Sequence, residues 1–127
     1  MKPSVKEDIT ALLRSRHTLL WIVTREEMRV ENTIVEAAAA AQYNTEMWDC
    51  AAGLCDNTNK PTNPNLRDPS ELLNAIRSQA TRTVFILRDM HKWFDPVTLR
   101  QIKNLARALQ STPRNEAKAM VILTPMS

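Results

Sequence analysis

Hydrophobic positions along the chain switch repeatedly between helical spacing and short unbroken runs. Val5, Ile9, Leu12 and Leu13 fall on one helical face, and Ser4 followed by Glu7 has capping-box spacing, which predicts a first helix ending near Arg16. Residues 19–23 form an apolar run without polar alternation, the pattern of a strand covered on both faces. Thr24 and Glu27 repeat the capping-box spacing, and Val30, Ile34, Ala37, Ala38 and Ala41 then mark one face of a long helix stopping near Tyr43. Residues 45–48 are a weaker strand. Residues 50–67 contain several asparagines, Pro61, Pro64 and the only glycine, Gly53, so they predict a surface loop, with 51–67 a candidate for disorder.

The second half is more sharply punctuated. Asp68 as N-cap, Pro69 at the first helical position and Glu71 in the first turn predict a helix that buries Leu72, Leu73 and Ile76 and ends around Ala80. Residues 83–87 are the strongest strand, delivering the polar cluster Arg88, Asp89, His91 and Lys92. Asp95 and Pro96 start another helix, with Leu99, Ile102, Leu105, Ala106 and Leu109 on its buried stripe, and residues 120–123 form a last strand. Strands separated by helices imply parallel pairing through right-handed crossovers. The expected fold is therefore α/β, a three-layer αβα arrangement around an open parallel sheet of about four strands. No repeat of fixed period is present.

Composition narrows the class without naming a chemistry. The 127 residues fit one domain, 1–127, and 43% hydrophobic with 24% charged residues is ordinary for a globular chain. The apolar runs are too short to span a bilayer, and residues 1–16 are charged and amphipathic rather than a signal sequence, so a cytoplasmic place is expected. Cys50 and Cys55 then read as ordinary thiols; with His17 and His91 remote in sequence, they lack zinc-site spacing, and no metal is expected. The net charge of +3 comes from scattered, interleaved charges rather than a basic stripe, which leaves nucleic acid as a partner not indicated.

In an open α/β sheet, ligands bind beyond the carboxyl ends of the strands, which selects Thr24, Asp49, Asp89 and Thr124 for inspection. A phosphate-binding first turn is glycine-rich, because backbone amides must approach the phosphates closely, and a lysine follows. Here Thr24, Arg25, Glu26 and Glu27 occupy that place. Two carboxylates in a first helical turn satisfy free amides and the helix dipole, and they repel phosphate. A subunit contact or metal binding is the other use for them. Asp89 with His91 has the makings of a metal-assisted acid/base pair, against the plainer roles of a cap and a packing histidine. Trp93 and Phe94 suit either an exposed patch for a partner or the core.

A family resemblance rests on Ile22-Val23-Thr24-Arg25-Glu26-Glu27-Met28-Arg29-Val30, Phe85-Ile86-Leu87-Arg88-Asp89-Met90-His91, Leu105-Ala106-Arg107-Ala108-Leu109 and Val121-Ile122-Leu123-Thr124-Pro125. Over residues 9–125 the chain resembles the N-terminal degenerate ATPase domain of cyanobacterial and plastid open-reading-frame type AAA+ ATPases, which have microbial and viral relatives. The resemblance implies an AAA+ core sheet without a working phosphate loop, followed in full-length relatives by an active AAA+ domain that carries ATP and Mg. It places Asp89 as a Walker B-like remnant beside His91, and Thr124 as sensor-like. Set against a complete module of that family, the expected fold is P-loop NTPase (AAA+)-like without the fifth strand and the helical lid.

The leading expectation is a noncatalytic domain that assembles or regulates an ATPase, with no cofactor of its own, partnered by itself or by an active AAA+ domain. Two alternatives stand beside it: a metal-dependent hydrolase or nuclease using Asp89 and His91, and a nucleic-acid adaptor using Arg25, Arg29, Arg88 and Lys92.

Overall fold

A computed structural model describes residues 4–125; residues 1–3 and 126–127 of the single domain read from the sequence lie outside them. In chain order the elements are α1 (Val5–Arg14), β1 (Leu19–Thr24), α2 (Glu27–Ala40), β2 (Asn44–Asp49), β3 (Gly53–Asp56), β4 (Pro61–Asn63), α3 (Pro69–Ser78), β5 (Thr83–Arg88), α4 (Pro96–Leu109) and β6 (Lys118–Pro125). The three amphipathic helices with clear caps begin where their local chemistry directs. Ser4 accepts from the Glu7 amide at 3.1 Å, Asp68 from Glu71 at 3.1 Å and Asp95 from Thr98 at 2.7 Å. Each side chain relieves an amide that has no partner inside its helix.

Among the described residues the strands form one six-stranded sheet in the order β1-β6-β5-β2-β3-β4. The first four run parallel, with Val23 opposite Thr124, Arg88 opposite Leu123 and Trp48 opposite Leu87. The αβα class expected from the sequence is the one observed, but the sheet is mixed and wider than four parallel strands. The segment read as a surface loop at 51–67 supplies the difference. Its Gly53–Asp56 pairs antiparallel with β2, and Pro61–Asn63 pairs antiparallel with β3 at the sheet's edge. Leu54, Cys55 and Leu66 are buried, and the Trp48 indole donates to the Leu66 carbonyl at 2.7 Å, so the segment is pinned to the core. Glycine, asparagine and proline argue against strands locally; the pairing that overrides them comes from β2.

The sheet divides the core into two layers. On one face Val84, Ile86, Val121 and Leu123 meet Ile9 and Leu13 of α1 and Ile34, Ala37 and Ala38 of α2. On the other, Phe85, Leu87, Met120 and Ile122 meet Leu72, Leu73 and Ile76 of α3 and Ile102, Leu105 and Leu109 of α4. Central β5 and β6 are covered on both sides, which is why their sequences read as continuous apolar runs. By contrast β1 is an edge strand, leaving Trp21 and Val23 exposed.

Candidate site at the carboxyl edge of the sheet

Thr24, Asp49, Asp89 and Thr124 do gather at the carboxyl ends of β1, β2, β5 and β6, the edge at which α2 begins. The turn between β1 and α2 differs from the expected capping box. Thr24 is the last residue of β1, and its hydroxyl accepts from the Glu26 amide at 2.9 Å. Glu26 is the N-cap of α2 and makes no side-chain cap; its carboxylate faces Arg29 at 3.4 Å. The Glu27 carboxylate turns toward Arg88, 3.9 Å away. The acids at this helix start therefore face arginines rather than the free amides: Glu26 the exposed Arg29 of its own helix, and Glu27 a deeper positive charge.

Arg88 is that charge. It ends β5 on the α2 face of the sheet, and its side chain is only 18% exposed. Its Nε and Nη2 donate to both oxygens of Glu31, at 2.5 and 2.9 Å, a bidentate pair; the Asp49 carboxylate stands 3.5 Å from Nη1. Asn59, from the β3–β4 turn, accepts from Nη2 at 3.2 Å. The hydrogen bonds to Glu31 first, and then the charges of Glu31, Asp49 and Glu27, push the guanidinium pKa up against the opposing effect of burial. Three carboxylates thus surround one half-buried cation, under a recess of about 360 Å³ lined by Glu27, Met28, Glu31 and Arg88.

Burial first, and then the Glu31 carboxylate, push the Glu27 carboxyl above its ordinary value of 4.5. A carboxyl that holds its proton more tightly when folded favours folding below its unfolded pKa and loses that contribution as pH rises through the raised value. Glu27→Gln is therefore expected to be at least as stable as the parent near neutral pH, with the advantage vanishing below 4.5. Urea midpoints measured at neutral and at acid pH check this. A parent more stable at neutral pH would show that the Arg88 contact outweighs burial.

The remaining sequence candidates are placed as follows. Asp89 is exposed in the left-handed region (φ 56°), and among the described residues its carboxylate makes no hydrogen bond or ion pair. His91 is half-buried with its Nδ1 unpartnered, and no hydrogen bond joins it to Asp89. Thr124 is buried, its hydroxyl accepting from the Trp21 indole at 3.1 Å. Phe94 packs edge-on against Trp21 with centroids 5.2 Å apart, while Trp93 is exposed. Arg88 and Arg29 face carboxylates, so the Arg25, Arg29, Arg88 and Lys92 group does not form an unopposed basic surface. Cys50 is exposed and Cys55 buried, both free thiols. Among the described residues no helix is long and apolar enough to cross a membrane, and no group of three acids, histidines or cysteines is arranged for a metal.

Sequence reasoning missed Glu31. A signal existed: counting back from Ile34 and Ala38, Glu31 shares the core-facing stripe of α2, where an acid needs a buried partner. A phosphate-binding turn makes two demands on the residues at this edge. Close amide approach requires glycine, the outer oxygens require a lysine, and the first turn carries neither.

Comparison with known proteins agrees with this architecture. The pattern of the family described as "SpoVK-like AAA ATPase, N-terminal domain" matches residues 5–127. The AAA domain-containing protein ycf46 of Guillardia theta is 32% identical over an alignment covering 94% of this chain and 24% of that protein. That of Trieres chinensis is 30% identical, with 85% and 22% covered. The chain thus spans about a quarter of the length of these relatives.

Proposed function

Because the chain belongs to the SpoVK-like AAA ATPase N-terminal domain family, we propose that it is a noncatalytic AAA+-like domain. Its role is to assemble or regulate an ATPase by packing beside an active AAA+ domain. The observation that carries this reading is the β1–α2 junction. Where a phosphate loop would present amides and a lysine, Glu27 and Glu31 hold Arg88 beneath the first turn of α2. A triphosphate arriving there meets carboxylates, and the half-buried Arg88 is already committed.

Packing on a partner is supported by the other side of the same edge. Trp21 and Val23 on edge strand β1 are exposed, as are Trp93 and Val97 beside the Phe94 that contacts Trp21. Apolar side chains grouped around an unpaired strand edge suit burial against another protein surface. An active AAA+ domain is the partner favoured, since the relatives named for an AAA domain are about four times as long as the aligned part. A cytoplasmic setting and the absence of a cofactor of its own belong to the same proposal.

Incubation of the chain with ATP and Mg²⁺ is expected to release no phosphate above the buffer blank, a readout that nucleotide held anywhere other than the β1–α2 junction does not change. Micromolar binding accompanied by turnover overturns the reading.

A further inference from the structure

The sheet's opposite edge carries an unassigned feature. At the amino ends of the strands a cleft of about 550 Å³ is lined by Arg14, Arg16, Ala40, Ala41, Gln42, Arg82 and Arg114. Arg14 ends α1, Arg16 links α1 to β1, Arg82 precedes β5 and Arg114 precedes β6, so the topology draws together four arginines that are remote in sequence. No acid lines the cleft, and among the described residues none of the four pairs with a carboxylate.

Main-chain carbonyls hold three of the guanidiniums in place. Arg14 donates to Ala40 at 3.1 Å and Arg16 to Thr112 at 2.9 Å. Arg82 donates to the carbonyls of Gln42, Ala41 and Arg114 at 3.1, 3.1 and 2.8 Å, and it lies 4.1 Å from the centre of the Tyr43 ring. Capping helix ends explains part of this arrangement. The carboxyl ends of α1, α2 and α4 each present about half a negative charge, about 1.5 in all, against four full positive charges. Most of the positive charge is left uncompensated. The volume is that of a small-molecule site, and each guanidinium keeps N–H groups free for incoming oxygens.

We propose that this arginine cleft is a binding site for clustered phosphate groups, carried by a small polyphosphate or by a nucleic-acid strand. The three planar guanidiniums fixed by backbone contacts, those of Arg14, Arg16 and Arg82, present donors to phosphate oxygens with much of their ordering done before the ligand arrives, and Arg114 adds a fourth charge. The site lies across the sheet from the ATPase-like edge, so it stands independently of whether that edge binds nucleotide.

The test titrates the chain with inorganic tripolyphosphate and, separately, with a fluorescein-labelled single-stranded oligonucleotide, at low and moderate salt. Saturable binding that weakens with salt is expected. Arg114→Glu should weaken it about tenfold or more, since the Arg114 side chain makes no hydrogen bond or ion pair among the described residues and a charge in contact with phosphate is reversed. Its melting temperature should match the parent's. Arg29→Glu, at the opposite edge, should bind like the parent. Binding of tripolyphosphate alone identifies a small polyphosphate as the ligand class, and binding of the oligonucleotide alone identifies a strand. No binding of either, binding indifferent to Arg114→Glu, or a stronger preference for a glutamate oligomer overturns the proposal.

Discussion

Replacing Glu31 with alanine is expected to lower the unfolding free energy by about 3–5 kcal/mol, the usual cost of breaking a buried ion pair by removing one partner. Glu31 and Arg88 side chains are only 8% and 18% exposed, and both Arg88 nitrogens that meet Glu31 do so within 2.9 Å. Without Glu31, Arg88 keeps Asp49 at 3.5 Å and Glu27 at 3.9 Å, contacts too long and too exposed to replace a bidentate bond. The double substitution Glu31→Leu with Arg88→Met should recover most of the loss, because it removes the charge as well as its partner. Urea denaturation of the parent, single and double variants measures both steps. A loss below about 1 kcal/mol for Glu31→Ala would show that water screens the pair as it does a surface salt bridge.

The second large effect is expected at Gly53→Ala. Gly53 has φ +77°, and a Cβ there would lie 2.6 Å from the Asn63 carbonyl oxygen and 2.9 Å from that of Pro64. The left-handed conformation alone costs an alanine about 1–2 kcal/mol, and crowding against backbone adds about as much again. Relief requires β3 to move away from β4 and the 63–64 segment. The loss should therefore fall first on β3 and β4, seen as faster amide exchange at Leu54 and Cys55, while β5 and β6 stay protected. Equal loss of protection across all six strands would show that the antiparallel edge and the parallel core unfold together.

These two sites mark different limits of what the chain reveals on its own. Gly53 sat among asparagines and prolines, and that composition pointed to a loop; its strand pairing depends on Asp49 lying opposite it in β2. Glu31 sat within a helical stripe whose hydrophobic members drew the attention. Its partner Arg88 is 57 residues away, and no local periodicity connects them. The start of α2 shows the same limit on a smaller scale. Thr24 and Glu27 have capping-box spacing, yet Thr24 belongs to β1 and Glu27 leans toward Arg88, because tertiary charge competed with the local cap.

What the sequence determined by itself was everything set by short-range chemistry. Ser4, Asp68 and Asp95 start their helices through bonds spanning three residues, and the buried strands announce themselves because both faces are covered. The missing glycines and lysine of the first turn were equally plain. Only the tertiary structure decided the antiparallel pair at 53–63, the carboxylate ring around Arg88 and the arginine cleft at the far edge. Each of these joins residues from separate elements, and the energy that joins them exists only once the sheet has brought those elements together.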